Sequence, residues 1–185
     1  MIALMQVGLG LAQVAIYIAT AVVFLMWLYR SHENLSSFGV KSRDLEYSSG
    51  WTVGSFFVPF VNLVVPYRAI REVWRKSVPN ASSMFSELSP PGFFPLWWGL
   101  WLASNFCNQL YFRMALQENI PPEVKLTVGL LSGLLDILAA ILAIRIVREI
   151  DRQQTEHSRA IEHELHGSRP PSPPVFNPVM PSDRL

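Results

Sequence analysis

The chain has 185 residues, a net charge of +1, one cysteine, and half of its residues hydrophobic. Its mean hydropathy of +0.26 is high for an average that includes a long polar tail. That length suits one domain, and the lone Cys107 rules out an intrachain disulfide and leaves no thiolate metal site.

The apolar residues come in blocks. Residues 1–29 carry no charged side chain, residues 92–112 carry none, and residues 126–144 carry only Asp136. About 20 mostly apolar residues cross the roughly 30 Å of bilayer hydrocarbon. The blocks therefore predict three spans, at about 2–29, 92–112 and 124–144. The first has no basic residue ahead of it and is too long for a signal peptide, so it reads as a retained anchor.

After the first span comes a polar loop, 30–50, and then the segment 51–76, WTVGSFFVPFVNLVVPYRAIREVWRK. Its first 17 residues are apolar but marginal in length, and they contain Gly54, Pro59, Asn62 and Pro66. Each proline removes an amide donor, and unpaired backbone is costly in lipid. This stretch reads as a short fourth span or a re-entrant hairpin, and a hairpin needs shelter from the other helices around residues 59–62. Beyond Pro66, Arg68, Arg71, Glu72, Arg75 and Lys76 recur at helical spacing, with Tyr67, Ala69, Ile70, Val73 and Trp74 on the other face. That pattern predicts an amphipathic helix flat on the membrane. Arg68, Arg71, Trp74, Arg75 and Lys76 are its candidate lipid-interface residues, facing anionic headgroups.

A Ser/Pro-rich loop follows at 77–91. The loop 113–122 ends one helix and starts another at Pro121 and Pro122. The tail begins helix-like over 145–165 and ends in a proline-rich run. Two regions are expected: a polytopic membrane domain, 1–152, and a largely disordered cytoplasmic tail, 153–185. The fold class is all-α integral membrane: a small bundle of three long spans, the Pro-broken segment and the interfacial helix.

Cytoplasmic loops are enriched in Lys and Arg. With 51–67 spanning, the cations divide 5 against 10; with it re-entrant, they divide 2 against 13. The second arrangement predicts an outside N-terminus and a cytoplasmic tail. Trp27, Tyr29, Trp97, Trp98 and Trp101 then mark inner span ends as a headgroup-level belt.

Asp136 is the sharpest single-residue signal. An acid at a span centre costs about 2.5–3.5 kcal/mol and usually faces a bundle interior or a pathway. It sits about 12 Å from the inner end of its span by helical rise. Gly129 and Gly133 share its face as a small-xxx-small packing pair. Thr20, Asn62, Asn105, Asn108 and Gln109 complete a candidate intramembrane polar site, as a proton or ion path or as packing glue. His157, His163 and His166 suit a solvated tail better than a metal site. No phosphate loop, zincin motif or nucleophile–base set occurs, so no enzyme activity, cofactor, metal or nucleic-acid partner is expected.

The pieces ATAVVFLMWLYRSHENL, GWTVGSFFVPFVNLVVPYRAIREVWRKS, PLWWGLWLASN and DILAAILAIRIVREI, within residues 10–152, resemble a family of bacterial polytopic membrane proteins, domain of unknown function family 4328. The resemblance implies a multi-pass protein of the bacterial inner membrane. It implies one further span ahead of the block that starts here, which this chain lacks, and it carries no activity. The expected function is non-enzymatic: a membrane association, scaffold or regulatory protein. Its partners would be the lipid bilayer and either its own oligomer or another membrane protein. The alternative is a small transporter or channel component with a polar path through Asp136 and Asn105.

Overall fold

The computed structural model describes residues 2–78 and 89–167, and among them the chain is entirely helical, turn or loop. Five α-helices follow in order: α1 (Ile2–Ser37), α2 (Ser49–Gly54), α3 (Val65–Ser77), α4 (Phe93–Ala115) and α5 (Pro122–Gly167). Short 3₁₀ turns at Ser42–Asp44, Ser55–Phe57 and Val61–Leu63 join the first three. At 1.5 Å per residue, α1 is about 54 Å long, α4 about 35 Å and α5 about 69 Å. The helix ends follow local chemistry. Gly39 takes a positive φ of 81° after α1, and Val40 N–H closes onto the Leu35 carbonyl. Pro66 and Pro122 stand in first turns, where a missing N–H costs nothing.

Among the described residues two helices are long and apolar enough to cross a membrane, within Gly8–Ser37 and Pro122–Leu165. The sequence predicts three. The helix that falls short is α4: it has the length, but Trp97, Trp98, Trp101, Ser104, Asn105, Asn108 and Gln109 dilute its apolar character. It makes the most extensive helix–helix contact in the chain, along α5.

The segment 51–67 is not a continuous helix. It breaks at Pro59, and Phe60 adopts φ 64°, a positive-φ γ-turn closed by Val61 N–H on the Pro59 carbonyl. The chain enters beside α1, where Ser49 Oγ lies 3.0 Å from His32 Nδ1. It dips as far as Phe24, whose ring meets Phe56 edge-on, eight residues or about 12 Å along α1. It returns through α3 until the Glu72 carboxylate accepts from Glu46 N–H. The two arms therefore begin and end at one level. Shelter is partial over residues 59–62: Pro59 is exposed and Phe60 is 85% exposed, while Val61 and Asn62 are half-buried. The backbone pairs within the turn: Asn62 N–H reaches the Val58 carbonyl, and Leu63 N–H reaches that of Phe60. The Leu63 carbonyl is bonded from outside the turn: the Trp98 indole donates to it at 3.1 Å.

The core lies at this end of the molecule. Leu28 and Leu35 of α1, Ile70, Val73 and Trp74 of α3, Phe94, Trp97 and Trp98 of α4, and Ala139, Ile146 and Ile150 of α5 form one buried cluster. Two sequence expectations change here. The apolar face of α3 is covered by protein rather than lipid, and Trp74, only 6% exposed, meets Phe94 edge-on. Trp97 and Trp98 pack inward around the hairpin rather than forming a headgroup belt. By contrast, residues 8–20 of α1 are exposed on every side.

The helix α5 runs through residues 152 and 153 without a break and continues to Gly167, so no structural boundary separates the two expected regions there. Gln153 and Gln154, assigned by sequence to the polar tail, are buried, because they lie where α5 passes the ends of α1 and α3. The proline-rich end, 168–185, and residues 79–88 of the Ser/Pro-rich loop lie outside the described residues.

Trp74→Ala is expected to cost about 3–5 kcal/mol, the usual range for emptying a core aromatic site. Trp51→Ala, at a partly exposed position, should cost under about 1 kcal/mol. Chemical unfolding in detergent micelles measures both. Equal midpoints for wild type and Trp74→Ala would mean that α3 is not docked.

Candidate functional site

Two groups of polar side chains stand out. The first lies on the α4–α5 pair. Asn108 Nδ2 donates to Asp136 Oδ2 at 3.1 Å, and Ser132 Oγ donates to Asn108 Oδ1. The amide thus bridges two residues of α5 four positions apart, the spacing at which side chains stack on one helix face. One turn outward, Gly129 admits the Tyr111 ring, which would lie 3.2 Å from an added Cβ. This close approach sets the helix spacing and brings Asn108 within reach. Gly133, expected to pack the same way, has nothing within 4 Å of a built Cβ.

Other members of the expected site do not join this chain. Thr20 Oγ1 donates to the Ile16 carbonyl within α1 at 2.8 Å. Asn105 Nδ2 donates to the Trp101 carbonyl at 2.7 Å, so it serves its own helix. Gln109 is exposed beside Asn108. Asn62 belongs to the hairpin, next to the Leu63 carbonyl that Trp98 holds. Trp98 and Asn108 are ten residues apart on α4, or about 15 Å. Asp136 and Asn108 are both exposed in the chain as it stands, beyond the buried cluster.

The second group surrounds α3. Trp74 turns inward, while Arg68 is exposed and Arg71, Arg75 and Lys76 are half-buried. These four cations, with Asp44 and Glu46, line a pocket of about 130 Å³ whose remaining wall is Glu72. Glu72 is 6% exposed. Its Oε1 accepts from Glu46 N–H, and its Oε2 is buried with no hydrogen-bond partner. Burial drives its pKa above the ordinary glutamate value. The amides of Glu46 and Tyr47 and the charge of Lys76 oppose that shift, and Glu46 adds to it.

A polar clasp near this group has no counterpart in the sequence reading. Gln154 Nε2 donates to the Ser31 carbonyl at 2.8 Å and to Ser77 Oγ at 3.1 Å, while its Oε1 accepts from Asn34 Nδ2 at 3.0 Å. The Trp27 indole donates to Asp151 at 2.8 Å. The His157 ring stacks on Phe38 with centroids 4.5 Å apart. One amide thereby ties α5 to both α1 and α3. The only signal available in advance was a glutamine pair one helical turn after an apolar run, which carries no information about its partners.

The family model described as Domain of unknown function (DUF4328) matches residues 2–152. No curated protein and no solved structure matches the chain.

Two outcomes are expected. Gly133→Ala should be neutral or raise stability by up to about 1 kcal/mol, the helix-propensity gain over glycine. Gly129→Ala must displace the Tyr111 ring and should lower stability; thermal unfolding in micelles ranks the pair. Glu72 holds its proton more tightly folded than unfolded, so its contribution is present below the ordinary glutamate pKa and is lost as pH rises through the raised value. Glu72→Gln should flatten that part of the stability-versus-pH curve. An unchanged slope would show that Glu72 is not the group responsible.

Proposed function

Because this chain belongs to the DUF4328 family, whose activity is not established, we propose that it is a multi-pass, non-enzymatic protein of the bacterial inner membrane that works by association. The partner is a second copy of the chain or another membrane protein. In this reading α1, α4 and α5 are three spans, the hairpin enters and leaves on the cytoplasmic face, and the tail lies in the cytoplasm. The division of cations, 13 against 2, supports that orientation.

The observation that carries the proposal is the uncovered surface of α1. Residues such as Leu9, Leu11, Val14, Ile16 and Ile18 are exposed around the helix. A helix apolar on all sides is stable inside a large core or in lipid. The Asp136–Asn108–Ser132 chain adds a reason for association. An exposed carboxyl is costly against hydrocarbon and is better placed against another polar helix face.

A transport role is the second reading, with Asp136 and Asn108 as its polar step. It lacks a continuous path, since Asn105 bonds its own helix and Asn62 stands about 15 Å along α4 from Asn108.

Asp136→Leu should weaken self-association or partner capture roughly three- to thirty-fold, as expected for losing an interhelical hydrogen bond worth about 0.6–2 kcal/mol. Cross-linking in native membranes and sedimentation in micelles measure this. Intact assembly together with loss of a pH-dependent flux in Asp136→Asn would favour transport instead. For topology, single cysteines at Ser36 and Ser89 in a Cys107→Ser background should both resist a membrane-impermeant label in intact cells. Labelling of only one would contradict the hairpin.

A further inference from the structure

The pocket beside α3 combines features that electrostatic attraction to a membrane surface does not require. Arg68 and Arg71 are three residues apart, so their guanidinium groups project from one helix face. Among the described residues neither makes an ion pair. Between them and the 44–46 loop sits Glu72, almost fully buried, with Oε1 engaged and Oε2 unpartnered at the pocket wall. A buried polar atom without a partner costs free energy unless something fills the place opposite it.

We propose that this pocket, bounded by Arg68, Arg71 and Glu72, binds the phosphate of a phosphomonoester. Its volume of about 130 Å³ lies below the roughly 300 Å³ at which pockets for larger ligands begin, so it suits one compact headgroup. Four cations, Arg68, Arg71, Arg75 and Lys76, face the two carboxylates of Asp44 and Glu46 across it. With Glu72 neutral, the lining carries +2; with Glu72 ionised, it carries +1. An anion is favoured in either state. Burial raises the Glu72 pKa, so this carboxyl in the pocket wall repels an anion less than an ordinary glutamate would. Two guanidinium forks, each spanning a different pair of anionic oxygens, need three free oxygens between them. A phosphomonoester has three, whereas a phosphodiester has two.

The same chemistry occurs on phosphatidic acid in a membrane and on soluble phosphomonoesters. The lipid source rests on the membrane-surface reading of α3, while the site itself does not. The test uses the full chain in detergent micelles, titrated with dihexanoyl phosphatidic acid and dihexanoyl phosphatidylglycerol and followed by native mass spectrometry. Wild type should bind the monoester lipid about tenfold more tightly, the equivalent of one good charge-assisted hydrogen bond. The paired variant Arg68→Lys/Arg71→Lys preserves charge but not the planar fork. It should bind both lipids equally and keep the salt dependence. Glu72→Gln removes the group that becomes negative as pH rises, so it should keep the preference and lose the weakening seen in wild type as pH rises. Competition by glycerol 3-phosphate would identify a soluble ligand, and a preference that resists such competition would identify the lipid. Equal binding of the two lipids by wild type overturns the proposal, as does a preference that survives in the arginine pair variant or disappears in Glu72→Gln. None of these results bears on assembly through Asp136, which is read from oligomeric state.

Discussion

Peptide groups in apolar surroundings must be paired, and the way residues 49–64 meet that demand organises the rest of the chain. Pro59 and a positive-φ phenylalanine interrupt the helix. The backbone therefore closes a succession of tight turns on itself, and the Leu63 carbonyl accepts from Trp98. That bond attaches the hairpin to α4. Tyr67 then lies over the Trp98 ring with centroids 6.4 Å apart, and α3 starts in a position where Ile70, Val73 and Trp74 can only point inward. The broken segment is thus what determines the location of the core.

The core consequently sits at the hairpin end, and the long helices reach beyond it. At this end α1, α3 and α5 are joined by side-chain hydrogen bonds: Gln154 to Ser31, Ser77 and Asn34, and Trp27 to Asp151. Removing the amide of Gln154 would break its bonds to the Ser31 carbonyl, Ser77 Oγ and Asn34 Nδ2 together, so the clasp acts as a unit. Away from it, α4 and α5 stay together through the Tyr111–Gly129 approach and the Asn108 bridge, while the outer part of α1 has only apolar surface to offer. The buried core and the polar clasp thus lie at one end, and the outer part of α1 is uncovered apolar surface.

Two members of the expected polar site, Asp136 and Asn108, were legible because a polar group in an apolar run is a local property. Asp136 interrupts residues 126–144, and its partner Asn108 lies in a run just as free of charge. Their bond, however, depends on the register of α4 against α5, which Tyr111 and Gly129 set and which no spacing within one helix encodes. The same limit explains the role of Trp74. Periodicity separates the two faces of α3 without saying whether the apolar one meets lipid or protein, since both are equally apolar. It explains Gly133 too: a small-xxx-small pair marks a possible interface, but only one of the two glycines faces a neighbour.

Composition alone therefore determined the helical class, the apolar blocks, the break at Pro59 and the basic stripe of α3, because each follows from local backbone chemistry or from hydropathy along one segment. The family signature could be read in the same linear way. Tertiary structure decided the rest: that the broken segment returns to its starting level, that α3 docks rather than floats, that Gln154 belongs to the body and not to a tail, and that Glu72 is enclosed beside Arg68 and Arg71. These depend on contacts between residues 26 to 123 positions apart. Such contacts arise only when whole faces pack, and they leave no local trace in the chain.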